Sequence, residues 1–230
     1  MLREICPKKD KYKSKNKDHE YPLFQNFNLK IPDFPGKGQF ISIMGQSGCG
    51  KSQLLRSLSG LSSCQSGDIK IYGKSTKEYG SIPMVFQQYT AYEWMSVLDN
   101  AALPMILKGQ NKKEARKKAT ELLKLVGLEE HAWKYAKTPA LSGGQMQRLA
   151  IARCLACNSQ IMLLDEATGA LDIKMKKEIQ NLLLNIFYSA KLDPTILNVT
   201  HSVEEAVYLS NRIIILQAKP CRIWKTIDIH

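Results

Sequence analysis

Gly45-Gln46-Ser47-Gly48-Cys49-Gly50-Lys51-Ser52 is the stretch that decides the fold. It fits the spacing G-x-x-x-x-G-K-[ST], in which glycines let the backbone turn its N–H groups inward around phosphates. Residues 40–44 before it are mostly apolar, as in a strand, and residues 51–58 after it have helical spacing. A strand, a glycine loop and a helix in that order give a phosphate site with the positive end of the helix pointing into it. Lys51 is then expected to reach the β- and γ-phosphates, and the Ser52 hydroxyl to bind Mg²⁺.

Working outward, further strands are expected at residues 69–72, 83–86, 161–164, 195–199 and 213–216. Residues 161–164 and 213–216 are continuously apolar, as strands covered on both faces must be. Alternation of such strands with helices predicts an α/β fold with a largely parallel sheet. Residues 91–159 instead read as mainly helix. Within them Ala115, Ala119, Leu122, Leu123 and Val126 form one apolar stripe, with Gly127 as the cap. The chain is therefore divided into a basic, flexible tail over residues 1–20 and a domain over residues 21–230, with a helical subdomain at about 91–159. The tail carries seven Lys/Arg against four Asp/Glu.

Composition sets limits. The 230 residues are 44% hydrophobic, which excludes a disordered, collagen-like or coiled-coil chain. No apolar run approaches the roughly 18 residues of a membrane-spanning helix, and the run at 101–107 is interrupted by Pro104. The start lacks the apolar core of a signal peptide, so a soluble, cytosolic protein is expected. The formal charge is +12, from 33 basic and 21 acidic residues. It is spread over the tail and residues 112–118 rather than gathered in one arginine-rich groove. That fits a solvated lysine surface or attraction to an acidic membrane, and no nucleic-acid partner is expected. Cys154-Leu-Ala-Cys157 has metal-ligand spacing without a second pair to complete a site, so reduced core thiols are expected.

Two further stretches carry chemistry. Ile161-Met162-Leu163-Leu164-Asp165-Glu166 is an apolar strand ending in two carboxylates, at the end where ligands of such sheets bind. Asp165 is placed to hold Mg²⁺ and Glu166 to take a proton from water attacking the γ-phosphate. Leu141-Ser142-Gly143-Gly144-Gln145 precedes a helix expected over residues 146–156. By itself it is either a second anion site or an ordinary N-cap.

With Gln147-Arg148 following, that pentapeptide resembles the signature motif of the ABC (ATP-binding cassette) ATPases. Val85-Phe86-Gln87 is similar to the family's Q-loop, Ala170-Leu171-Asp172 to its D-loop and Val199-Thr200-His201 to its switch region. Gly169 stands where serine is commoner, and Gln53 where threonine is usual. The resemblance spans about residues 21–217 and implies a P-loop NTPase (RecA-like) core with an inserted α-helical subdomain.

It also implies an ATPase. Glu166, His201 and Gln87 would be catalytic, and Ser52, Gln87 and Asp165 would hold Mg²⁺. Gly45, Gln46, Ser47, Gly48, Cys49, Gly50, Lys51 and Ser52 would bind ATP from one copy. Ser142, Gly143, Gly144, Gln145 and Asp172 would complete the site from a second copy paired head to tail. Adenine would stack on an aromatic side chain, with Tyr21 or Tyr12 in that role. A bulky reagent on Cys49 is expected to block hydrolysis.

Residues 88–104 are similar to importer-type subunits, nearest to the nitrate/sulfonate/taurine branch. In that family the stretch receives a helix of the permease, so Tyr92, Trp94 and Val97 either face a permease or pack the helical insert. The expected protein energises import of a small solute through separate permease subunits. It would sit on the cytoplasmic face of the membrane and engage a solute-binding protein only indirectly. An exporter, a lipoprotein-release ATPase or a soluble ABC ATPase would share every motif.

Overall fold

The computed structural model describes residues 2–3, 23–24, 27–34, 36–64, 67–80, 82–88, 91–137, 139–189 and 193–229. In chain order the elements are β1 (Leu2–Arg3), β2 (Gln39–Gly45), α1 (Lys51–Leu58), β3 (Lys70–Ile71), β4 (Lys74–Ser75) and α2 (Thr76–Tyr79). There follow β5 (Met84–Val85), α3 (Val97–Leu107), α4 (Lys112–Leu125), a 3-10 turn (Glu129–His131), α5 (Gly143–Ala156) and β6 (Ile161–Asp165). The chain ends with α6 (Ile173–Ser189), β7 (Thr195–Val199), α7 (Val203–Leu209), β8 (Arg212–Gln217) and β9 (Arg222–Asp228). Two compact units result: Met1–Ile82 with Ala190–His230, and Pro83–Ser189.

In the first unit β2 runs between β7 and β8, parallel to both, with Ile43 level with Val199 on one side and Ile214 on the other. A strand flanked and covered in this way must be apolar along its length. Phe40, Ile41 and Ile43 are fully buried, and so is all of β7. The polar exceptions are satisfied: Ser42 and Ser210 share a hydroxyl bond of 2.5 Å, and Asn198 donates to Glu205 at 3.2 Å. β9 pairs antiparallel with β8, and Arg212 meets Asp228 at 2.6 Å. It is a strand the sequence reading missed, largely exposed and paired on one side only among the described residues. A small antiparallel sheet joins β1, β3 and β4. Of the expected tail only Leu2 and Arg3 fall among the described residues, and they pair with Ile71 and Lys70 rather than trailing free.

The second unit holds the parallel pair β5–β6 and the helices α3, α4 and α5, which pack on one another. The α4 stripe is as expected: Ala115, Ala119, Leu123 and Val126 are buried and Leu122 is half-buried. The helix stops at Leu125, and Gly127 takes a φ of +69° just beyond it, a turn glycine adopts readily. Among the described residues no helix is long and apolar enough to cross a membrane. Cys154 is buried, which pushes its thiol up to about 12, and none of the described cysteines is in a disulfide.

Pro104 does not interrupt α3, which continues to Leu107. Asn100, whose carbonyl loses its helical donor to that proline, is fully buried and staples the preceding loop to the helix. Its side chain accepts from Tyr92 N–H at 2.9 Å and donates to the carbonyls of Tyr92 at 2.9 Å and Ser96 at 3.1 Å. Ser96 caps the same helix by accepting from Asp99 N–H at 3.0 Å, and the Asp99 carboxylate grips Arg116 of α4 with a two-pronged bond of 2.8 and 2.9 Å. Val97 is fully buried, so of the two readings of that residue the structure supports packing. Asn100→Leu should lower unfolding free energy by roughly 3 kcal/mol, because it leaves buried backbone groups of Tyr92 unpaired. Urea denaturation with an unchanged m-value would measure it.

Candidate functional site

The phosphate loop starts where β2 ends at Gly45 and closes at Gly50, the N-cap of α1. Gly50 has a φ of +101° and Gly48 of +77°, values that side chains other than glycine adopt only with strain. Gly45 is required for a different reason. A Cβ there would stand 2.7 Å from the Leu216 carbonyl oxygen and 2.9 Å from Cys49 Sγ. Gln46, Ser47 and Gly48 are exposed, as is Ser52, while Lys51 is folded over the loop and donates to the carbonyls of Gly45 at 2.8 Å and Gln46 at 3.1 Å. Cys49 is only 1% exposed, so its thiol is turned into the protein and a bulky reagent has little access to it.

His201 belongs to the same unit. β7 ends at Val199, level with Ile43 of β2, so His201 lies in register beside the start of the phosphate loop. It is exposed, on a turn set by Thr200 Oγ1, which accepts from Ser202 N–H at 3.1 Å, and by Ser202, which caps α7.

The second unit gathers Gln87, Asp165 and Glu166. Val85 is level with Leu164 across the β5–β6 pair, which puts Gln87 level with Glu166 two residues on. Asp165 is the buried end of β6, 8% exposed. Glu166 has a φ of +48°, a left-handed backbone unusual for glutamate and characteristic of strained functional positions. Gly169 N–H donates to the Glu166 carbonyl at 2.9 Å. A Cβ on Gly169 would lie 3.3 Å from that carbonyl oxygen and 3.9 Å from Gln87 Nε2, so Gln87 and Glu166 flank one small residue.

The signature differs from expectation in one respect. α5 begins at Gly143, three residues early, and Ser142 is its N-cap. Ser142 Oγ accepts from Gln145 N–H at 3.3 Å while Gln145 Oε1 accepts from Ser142 N–H at 2.8 Å. This reciprocal cap overrides the poor helix propensity of two glycines. It leaves the first-turn amides at a positive helix end, which suits an anion. Gln145 Nε2 also lies 2.6 Å from His131 Nε2. Asp172, expected at the nucleotide, accepts from Met175 N–H at 3.0 Å at the start of α6. Met175 in turn lies against Gly144, where a Cβ would stand 1.9 Å from its terminal methyl.

His131 and Met175 were missed, since nothing in their spacing announces contacts made between separate helices. Tyr21 and Tyr12 lie outside the described residues; nearby Phe24 is buried, with its ring 2.9 Å from where Gly50 would carry a Cβ. Gly45→Ala should cost about 2 kcal/mol of stability or more, because the backbone at Leu216 cannot move aside. Gly48→Ala has open space around it and should cost about 1 kcal/mol from its positive φ alone. Thermal unfolding of the two variants side by side tests that order.

A model of the ABC transporter family matches residues 24–169. The chain is 43% identical over 207 residues to an uncharacterized ABC transporter ATP-binding protein of Methanocaldococcus jannaschii, a match covering 89% of this chain and 74% of that protein. It is 39% identical over 207 residues to the aliphatic sulfonates import ATP-binding protein SsuB of Bacillus cereus, covering 90% of this chain and 78% of SsuB. A dimeric ATP-binding cassette solved in a post-hydrolysis state with ADP and Pi is similar with a TM-score of 0.81 at 32% identity, over 100% of this chain and 99% of that one. The match to the family model over most of the length, on top of a phosphate loop and a capped signature helix, places this chain in the ABC transporter family as one of its ATP-hydrolysing cassettes.

Proposed function

We propose that this chain hydrolyses ATP to drive import of a small solute through separate permease subunits, with Glu166 as the base. The observation that carries the assignment of the base is Glu166 itself, held in a left-handed backbone at the end of β6 and level with Gln87. Lys51 exchanges its two loop carbonyls for the β- and γ-phosphates. Glu166 accepts a proton from water as the water oxygen bonds to the γ-phosphorus and the bond to the ADP oxygen breaks. Gln87 orients that water, and His201 contacts the γ-phosphate.

Among the described residues no group of three or more His, Cys, Asp or Glu side chains could hold a metal unaided. Mg²⁺ keeps waters and binds through few protein oxygens together with substrate phosphates, and a hydroxyl, an amide oxygen and a carboxylate are such donors. Ser52, Gln87 and Asp165 would hold it, and it would neutralise charge on the phosphates.

Ser142, Gly143, Gly144 and Gln145, with Asp172, which Met175 links to Gly144, complete the site of a second copy, so ATP binds two cassettes together and its loss lets them part. The permease docks at residues 92–94 on the cytoplasmic face of the membrane. Trp94 is 74% exposed, rests edge-on against Tyr92 at 5.3 Å, and Tyr92 is backed by the Arg153 guanidinium at 5.0 Å. Similarity to an import ATP-binding protein, SsuB, supports import as the direction, and a solute-binding protein would be an indirect partner.

Glu166→Gln keeps the shape and loses the base. It should bind ATP, form an ATP-dependent dimer on size exclusion, and release phosphate about 10²–10³-fold more slowly. Lys51→Ala should lose nucleotide affinity itself. Capture of tagged Glu166→Gln from native membranes with ATP should recover a multi-span permease. Recovery from the soluble fraction alone would overturn the transport reading.

A further inference from the structure

The bonds around the signature force a tautomer on a histidine that lies outside every motif. Gln145 Oε1 is committed to the Ser142 N–H at 2.8 Å, so the other end of the amide, Nε2, can only donate. It lies 2.6 Å from His131 Nε2. His131 Nε2 must therefore be the acceptor, and the imidazole hydrogen sits on Nδ1, which is buried without a hydrogen-bond partner. We propose that His131 is a positioning residue for the signature, and that only its neutral form keeps the signature helix capped.

A proton taken up at Nε2 sets N–H against N–H. The Gln145 amide must then turn over, presenting Oε1 to His131 and its NH₂ group to the Ser142 N–H. The Ser142 half of the cap is lost, at the residue where the signature begins. Histidine is the side chain whose charge changes between pH 5 and 8. Since the neutral form holds the cap, protonation of the ring releases it.

Glu129 and Glu130 on the same turn, Glu121 and Lys124 at the end of α4, and Lys134 just beyond are all exposed and of mixed sign, where solvent screens them. Arg148 of α5 is committed to the Val126 carbonyl at 3.0 Å and Glu178 at 3.0 Å.

The effect on hydrolysis rests on the signature's proposed role at a second copy's ATP, whereas the linkage between His131 and Ser142 does not. Amide NMR of the full chain between pH 8 and 5.5 reads the linkage directly. The Ser142 amide signal should move with the same midpoint as the His131 ring. In His131→Gln, whose Oε1 stands where Nε2 did and accepts without titrating, that signal should stay still. Gln145→Leu, which has no amide to turn, should uncouple Ser142 while the His131 ring still titrates, and serves if the first variant does not fold. A Ser142 signal that ignores the ring titration in the wild type, or that moves equally in His131→Gln, overturns the proposal.

For hydrolysis, the ratio of His131→Gln to wild-type rate should be near one at pH 8 and rise at least about threefold at pH 5.5. A flat ratio beside a moving amide overturns the positioning role. If neither protein hydrolyses ATP at any pH, the signature's proposed role falls and the amide signals alone decide the linkage.

Discussion

Burial of β2 between two parallel neighbours is the constraint on which everything else in its unit depends. Parallel strands share one carboxyl end, and there the chain must leave the sheet. β2 leaves through the phosphate loop and β7 through His201, so a register set by apolar side chains such as Ile43 and Val199 also places the polar chemistry. The second unit repeats the logic with one pair of strands: Val85 opposite Leu164 brings Gln87 level with Glu166. In neither unit does a functional residue choose its own position; the core chooses it.

Close approach then refines what register begins. Gly45 is fixed by the Leu216 carbonyl, Gly144 by Met175 and Gly169 by Glu166 and Gln87. Only at Gly45 does backbone occupy the space of a Cβ; at Gly144 it is the flexible Met175 side chain, and at Gly169 the nearest atom is 3.3 Å away. The first-turn amides of α5 are held by a second device, the exchange between Ser142 and Gln145. Asp172 caps α6 in the same manner, through Met175 N–H. Residues of two nucleotide-related motifs therefore also serve as helix caps, and Met175 links them.

What could be read in the sequence was what is encoded locally or buried on both faces. The phosphate loop, the apolar strand before Asp165 and the stripe of α4 declare themselves through spacing alone. The start of α5 was misjudged because glycine propensity argued against helix, while the decisive term was a pair of side-chain bonds. β9 was missed because an edge strand alternates polar and apolar residues weakly. Spacing alone left Val97 open between facing a permease and packing the helical insert, and the fold buries it while exposing Trp94. His131 and Met175 act only through contacts between helices, for which a single chain read in one dimension has no signal.

β9 has a bearing on how this protein behaves in bulk. Its outer edge offers backbone donors and acceptors to any other strand it meets, along seven residues that include Ile223, Trp224 and Ile227. Arg222, Lys225 and Asp228 interrupt that edge at every third position, so a strand laid along it must accommodate charged side chains. A lysine outside every nucleotide motif thus discourages strands from adding to that edge, and its loss would be felt in storage and overexpression before it was felt in turnover.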